Sequence, residues 1–370
     1  VTNLIRNETS PGPVRDYLAK LMADRGIPGL QVAVVRDGAV EMLDEMGIAN
    51  VEHQVPVRRD TVFSINSMAK AFTGIAVMQL VEDGLLDLSA AISAYLDDLP
   101  AHWRAITVHQ LATLNAGVPE VMVYTADNNV ALIGDGTEEG AWQAAYAAPM
   151  EYPTGRGYSY NQTSYALLGR IVTRLGGKPF TEFVAERQFA VAGMPNTHYV
   201  NDDDILPNRA NTYMCISVDG EPTGRVCNSH INWPPMLRMA AGLQSTAGDL
   251  ANWVLALQRG ELLKEKSSVD TMLSAPPLYD GRPGIWGVGW HIGKSAAGRV
   301  PAPGGGAKSQ IVLYPNGLAV ILVTNLLGAF PEHLAPVGGE SIDLGFIDPI
   351  AEQWVPHPSR LDGAIGMSPR

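Results

Sequence analysis

Apolar positions along the chain follow two rhythms. From Pro13 to Arg25, Val14, Tyr17, Leu18, Leu21 and Met22 recur at helical spacing and predict an amphipathic helix that stops before Pro28-Gly29. Two apolar runs then flank Asp37-Gly38, the short-range signal of a hairpin, and predict antiparallel strands over about 30–36 and 39–46. Between Thr61 and Leu85 the helical rhythm returns with Phe72, Ile75, Ala76, Met78, Leu80 and Val81, and Asp83-Gly84 ends it. Residues 86–96 and the stretch from Ile106 read as helices, the second broken at Gly117-Val118-Pro119. Pro119 to Glu139 reads as loop, and loops of that length usually carry function or are disordered.

Further on, Thr163 to Leu175, Phe180 to Gly193 and Ala247 to Leu263 read as helices, with an irregular excursion from Asp202 to Pro235. The end turns strand-rich: 285–293, 309–315 and 318–325, the last two joined by Asn316-Gly317. Strands at both ends with helices between them predict an α+β fold, an α/β sandwich. One antiparallel sheet is built from about 28–48 and 284–325 and flanked by terminal helices. The expected division is 1–85 with 240–348 as the sheet domain, 86–239 as a mostly helical insertion and 349–370, with four prolines, as a surface tail.

Inside the helix that starts near Ser67 lies the chemistry. Ser67 and Lys70 are three residues apart, so hydroxyl and amine share a face. A lysine at the start of a buried helix is desolvated and sits at the positive end of the helix dipole, and both lower its pKa toward that of a usable base. A serine needs such a base to attack a carbonyl. The spacing alone arises often by chance, so its surroundings carry the weight.

Composition removes other classes. The chain has 370 residues, 46% of them hydrophobic, which is enough for a large core without staples. A net charge of -12 without a basic stripe excludes a nucleic-acid partner. No apolar run reaches the length of a membrane span, and the first residues show no charged-then-apolar leader. Val1 fits a removed leader, an alternative start or processing equally well. Eight scattered histidines without a metal-ligand spacing predict neither a metal nor a cofactor. Cys215 and Cys227 flank the turn-rich 219–224, where a hairpin could set them opposite each other; a disulfide and two free thiols are equal readings. The pair tilts the compartment toward secreted or periplasmic.

Six segments, 27–38, 61–88, 106–119, 160–172, 240–250 and 311–325, resemble in order the serine β-lactamase and penicillin-binding protein superfamily. The likeness is to the branch holding class C β-lactamases, class VIII carboxylesterases, D-amino-acid amidases and DD-peptidases. The resemblance implies a β-lactamase/DD-peptidase-like fold and an acyl-enzyme on Ser67, in the Ser-x-x-Lys motif with Lys70. It implies Tyr160 as the catalytic tyrosine, with Tyr158 as the alternative, and Gln162 where the family has asparagine; Ser159-Tyr160-Asn161 also fits the Ser-x-Asn form. The family's inner-strand Lys-Thr-Gly, His-x-Gly or Trp-x-Gly falls on Pro303-Gly304-Gly305, which has no cation to hold a substrate carboxylate. Lys308 reads as a solvated surface residue.

By the same resemblance the backbone N–H groups of Ser67 and Gly306 form the oxyanion hole. Tyr124, Trp290, His291, Val118 and Glu120 line the cleft with Asn161. The activity so implied is a carboxylesterase on uncharged esters, or acyl transfer by the same apparatus. The alternatives are a D-amino-acid amidase, D-aminopeptidase or weak β-lactamase, which Glu120 near a substrate amine favours, and a non-catalytic penicillin-binding-like module. The partner is a small ester or amide in every hydrolytic case.

Overall fold

A computed structural model describes residues 5–7, 9–125, 129–218, 221–334 and 341–354. The central sheet contains β1 (Ile5–Asn7), β2 (Gly29–Arg36), β3 (Ala39–Asn50), β4 (Gly304–Gly305), β5 (Ser309–Leu313) and β6 (Ala319–Thr324), in the order β1-β3-β2-β6-β5-β4. Both predicted hairpins are present. Asp37 and Gly38 take positive φ of 50° and 75°, and Asn316 and Gly317 take 64° and 76°, the left-handed pairs that match strand twist. The sheet is mixed rather than purely antiparallel, because β1 adds to β3 in parallel, Ile5 opposite Val40.

Side chains on β2 alternate between two cores. Leu30, Val32 and Val34 pack with Val14, Leu18 and Leu21 of α1 (Gly12–Arg25) and with Phe346, Ile347 and Ile350. Ala33 and Val35 face the other side, with α2 (Ala69–Glu82) and α4 (Ala247–Gln258); α3 (Thr163–Gly176) packs against α2 in the same core. The result is a sheet between helical layers. Twelve consecutive residues of α2, Ala69 to Leu80, are buried, so the helix is enclosed on every side. Phe72 stacks on Trp253 of α4 with centroids 4.1 Å apart, and Trp253 stacks on Trp290 at 5.6 Å.

Several sequence expectations give way to tertiary context. Of the helix expected over 86–96, only Ile92–Ala94 forms, as one 3-10 turn. The expected loop 119–139 holds a hairpin, Met122–Tyr124 with Val130–Leu132. The strand expected over 285–293 begins only at Ile292 and pairs outside the central sheet with Gly298–Pro301, because Gly289 at φ 84° turns the chain. Residues at the start of the expected tail are core: Asp348–Ala351 is helical, with Ile350 and Ala351 buried, and 355–370 lie outside the described residues.

The cysteines do lie on a hairpin, Tyr213–Val218 with Glu221–Asn228, but both are free. Cys215 pairs with Val226 and Cys227 with Met214, so the two are one position out of register and point to opposite faces.

Because Trp253 is fully buried between two aromatic rings, Trp253→Ala is expected to cost about 3–5 kcal/mol. A matching drop in the urea midpoint with unchanged slope is the measurement that checks it.

Candidate active site

Ser67 is not on the long helix but on a single 3-10 turn, Asn66–Met68, immediately before it. The turn is sharp because Asn66 adopts φ 47°, a left-handed conformation that asparagine tolerates better than most residues. The Ser64 hydroxyl donates to Asn66 Oδ1 at 2.5 Å and holds that side chain. Lys70 follows in the first turn of α2, three residues beyond Ser67.

Lys70 is fully buried. Its Nζ donates to Gln162 Oε1 at 2.6 Å and to the Ala240 carbonyl at 3.0 Å, and it lies 4.6 Å from the Tyr160 ring centroid and 5.2 Å from that of Tyr165. Burial pulls its pKa down to about 7, against the pull of the Glu120 carboxylate, which favours the ammonium. Tyr160 is 41% exposed, and its hydroxyl interacts with Ser67. Desolvation raises the phenol pKa, and the Ser67 bond works against that rise. Tyr158, the alternative tyrosine, is packed against the core instead.

Opposite the turn runs β4. A side chain on Gly305 would bring its Cβ 2.1 Å from the Ile65 carbonyl oxygen and 2.6 Å from Ser67 N, so only glycine lets this strand approach the Ser67 backbone. Gly306 follows at φ 59° beside Asn66. Pro303 precedes β4, where its missing N–H breaks no ladder, and its carbonyl accepts from Ile311 N at 2.9 Å.

Other expected site residues are elsewhere. Trp290 is fully buried in the Phe72–Trp253 stack and faces the core, not a cleft. His291 is 3% exposed, with its ring against Trp286 at 5.7 Å, and burial drives its pKa down to about 3. It is a buried neutral imidazole behind Trp286. Asn161 is also buried: its Nδ2 donates to Val118 O at 3.1 Å and its Oδ1 accepts from Ser164 N at 3.0 Å, which makes it a connector at the start of α3. Val118 itself is fully buried. Lys308 is 1% exposed rather than solvated, its Nζ donates to Thr212 Oγ1 at 3.2 Å, and burial lowers its pKa to about 8. Among the expected cleft residues Tyr124 does face outward, at 58% exposure, with Val123 beside it at 51%.

Sequence reasoning did not single out Trp286, Tyr165 or Ala240. Trp286 packs edge-on against Tyr160 at 5.4 Å and donates to the Tyr165 hydroxyl at 2.8 Å, so it props both rings beside Lys70. No motif marks it; only the chain reversal at Gly289 brings it there. No group of three or more potential metal ligands occurs among the described residues. No helix among them is long and apolar enough to cross a membrane.

A family model described as Beta-lactamase matches residues 14–337, and the chain belongs to that family of serine hydrolases. A β-lactamase of Yersinia enterocolitica is 23% identical over 283 residues, covering 75% of this chain and 68% of that protein. Protein flp of Staphylococcus aureus is 24% identical over 177 residues, 47% of this chain but only 35% of its own length, so the chain spans about a third of that relative. Among solved structures, the D-amino acid amidase of Ochrobactrum anthropi superposes with a TM-score of 0.72 at 22% identity, covering 92% of this chain and 97% of that one. EstCE1, a hydrolase with promiscuous acyltransferase activity, superposes at 0.69 with 20% identity, covering 86% and 95%. These likenesses establish the β-lactamase/DD-peptidase-like fold.

Gly305→Ala is expected to push the Ser67 turn away and to cut the rate of Ser67 modification by a fluorophosphonate at least about 10²-fold, the scale of losing one oxyanion donor. Circular dichroism on the same sample checks that the fold survives.

Proposed function

We propose that the protein is a serine hydrolase working through an acyl-enzyme on Ser67, with Lys70 as base and Tyr160 as proton shuttle, and that it acts as a carboxylesterase on uncharged esters. The observation that carries this reading is the bonding of Lys70. An uncharged amine has two N–H groups and one lone pair; Gln162 Oε1 and Ala240 O take two N–H groups, which leaves the lone pair free to accept a proton. With a pKa of about 7, Lys70 is substantially uncharged at neutral pH.

Ser67 Oγ attacks the ester carbonyl, and its proton passes through the Tyr160 hydroxyl to Lys70. In this reading the backbone N–H groups of Ser67 and Gly306 hold the tetrahedral oxyanion, and the close approach of Gly305 to Ser67 N supports it. Collapse breaks the bond to the alcohol, which leaves with the proton returned from Lys70 and Tyr160. Water then attacks the acyl-enzyme, gives its proton to the same pair, and releases the acid and Ser67.

Substrate charge is argued from what stands beside Ser67. Pro303, Gly304 and Gly305 bring no cation, and Lys308 is turned to Thr212, so a substrate carboxylate lacks a counter-charge there. Tyr124, Val123 and the Tyr160 ring form an exposed apolar rim suited to an aromatic or alkyl acyl group. The amidase reading needs Glu120 open to a substrate amine. Its oxygens instead accept from Gln162 N at 2.8 Å and Val121 N at 2.9 Å, with Thr163 Oγ1 at 3.4 Å.

Intact-mass analysis with a short p-nitrophenyl ester, a fluorophosphonate and a penicillin tests the proposal, with Ser67→Ala as control. Ester turnover with a Ser67-dependent phosphonyl adduct and no lasting penicilloyl mass is the expected result. A stable penicilloyl adduct moves the function to peptide-like substrates, and no reaction with any probe leaves a binding module. Lys70→Ala is expected to remove acylation while the fold persists; near-normal turnover in that variant defeats the assignment of the base. Since Lys70 acts only when uncharged, acylation should fall as pH drops through about 7 and stay level above it until Tyr160 or the protein itself titrates.

A further inference from the structure

The Glu120 carboxylate is the one acidic group that acts on Lys70, and no step above uses it. It reaches the lysine in two ways. The first is mechanical: Glu120 Oε2 accepts from Gln162 N at 2.8 Å, and the side chain of the same Gln162 accepts from Lys70 Nζ at 2.6 Å. The carboxylate therefore fixes the backbone of the residue whose amide aims the amine. The second is electrostatic. Glu120 is enclosed with Lys70, where opposite charges feel each other far more than in water.

The other groups around Lys70 are Tyr160 and Tyr165, whose rings face it, the Gln162 amide and the Ala240 carbonyl. Around Glu120 stand Lys70, Tyr124 and Tyr160, and its donors are Gln162 N, Val121 N and the Thr163 hydroxyl. Glu120 is thus the only carboxylate among these groups. Burial raises its own pKa, and the bonds from Gln162, Val121 and Thr163 together with the Lys70 charge work the other way.

We propose that Glu120 is a positioning residue for the base: through Gln162 it aims Lys70, and through its charge it sets the pH at which Lys70 becomes competent, without touching substrate. This deepens the serine hydrolase reading and rests on Lys70 being the base. A buried lysine left to desolvation alone loses its proton too easily to hand one back to a leaving group. A carboxylate held close, but engaged by backbone donors instead of a direct ion pair, offsets part of that loss and leaves the amine free.

The test is the pH profile of Ser67 phosphonylation and of p-nitrophenyl ester turnover, from pH 5 to 9, for wild type, Glu120→Gln, Glu120→Ala and Glu120→Asp. Both neutral variants remove the charge that favours the ammonium, so their acid limbs should move to lower pH by about one unit. Their plateau kcat should fall about tenfold or more with KM nearly unchanged, the pattern of a group that acts on the reaction step. Glu120→Asp keeps the charge and should return the limb toward its wild-type position. The alanine variant leaves room for water at the freed N–H groups, so it carries the test if the glutamine variant fails to fold.

An acid limb that stays in place in a folded neutral variant overturns the proposal. So does a rise in KM confined to esters bearing an amine, which would make Glu120 an ammonium contact. Failure of the parent reading looks different: Lys70→Ala would then keep its acylation rate and its acid limb whatever stands at 120.

Discussion

Accommodating a buried amine between the sheet and its helical layer is the constraint on which this structure depends. Lys70 emerges from a helix whose first twelve residues are buried, so its ammonium has lost its water. An ionised group so placed costs several kcal/mol unless partners compensate or the proton leaves. Here both responses occur in part. Two oxygen acceptors and two aromatic faces replace water, a carboxylate stands nearby, and the proton is held near neutrality. The elements that supply those groups are far apart in sequence: the loop at Glu120, the start of α3 at Gln162 and the segment at Ala240. Their meeting point explains why α2 packs against α3 while Met239 and Ala240 run beside it, with Thr73 Oγ1 donating to Met239 O at 2.6 Å.

A second requirement is that two backbones come closer than side chains permit. Asn66 bends the chain so that Ser67 projects from its turn, and Gly305 brings β4 against that turn. Ser67 and its backbone N–H are thereby placed by main chain, which is stiffer than any rotamer. The sheet supplies the rigidity, since β4 pairs with β5 and β5 with β6 at the centre.

What could be read from sequence was what local chemistry decides. Asp37-Gly38 and Asn316-Gly317 announce their hairpins because left-handed turns select those residues. That Lys70 and Tyr160 lie beside the Ser67 turn is legible because a Ser-x-x-Lys spacing and a family pattern frame those residues. Residues whose meaning depends on the direction a side chain takes were misread. Trp290 and His291 are neighbours of a real site wall, Trp286, but the bend at Gly289 turns them inward. Asn161 faces the core while Gln162, one residue on, meets Lys70. The cysteines missed each other by one register position, and Lys308 passed for a surface residue because nothing near it in sequence says that Thr212 will cover it.

The stacked rings of Phe72, Trp253 and Trp290 bear on how firmly the helix after Ser67 is held. They tie α2, which begins just after Ser67, to α4 and, through it, to the sheet, so α2 shifts only if stacked aromatic faces part. Tyr124 and Val123, on the two-stranded hairpin, have no comparable anchor and reach solvent. The two features thus differ in what holds them: ring stacking in the core for the helix that carries Lys70, strand pairing at the surface for Tyr124 and Val123.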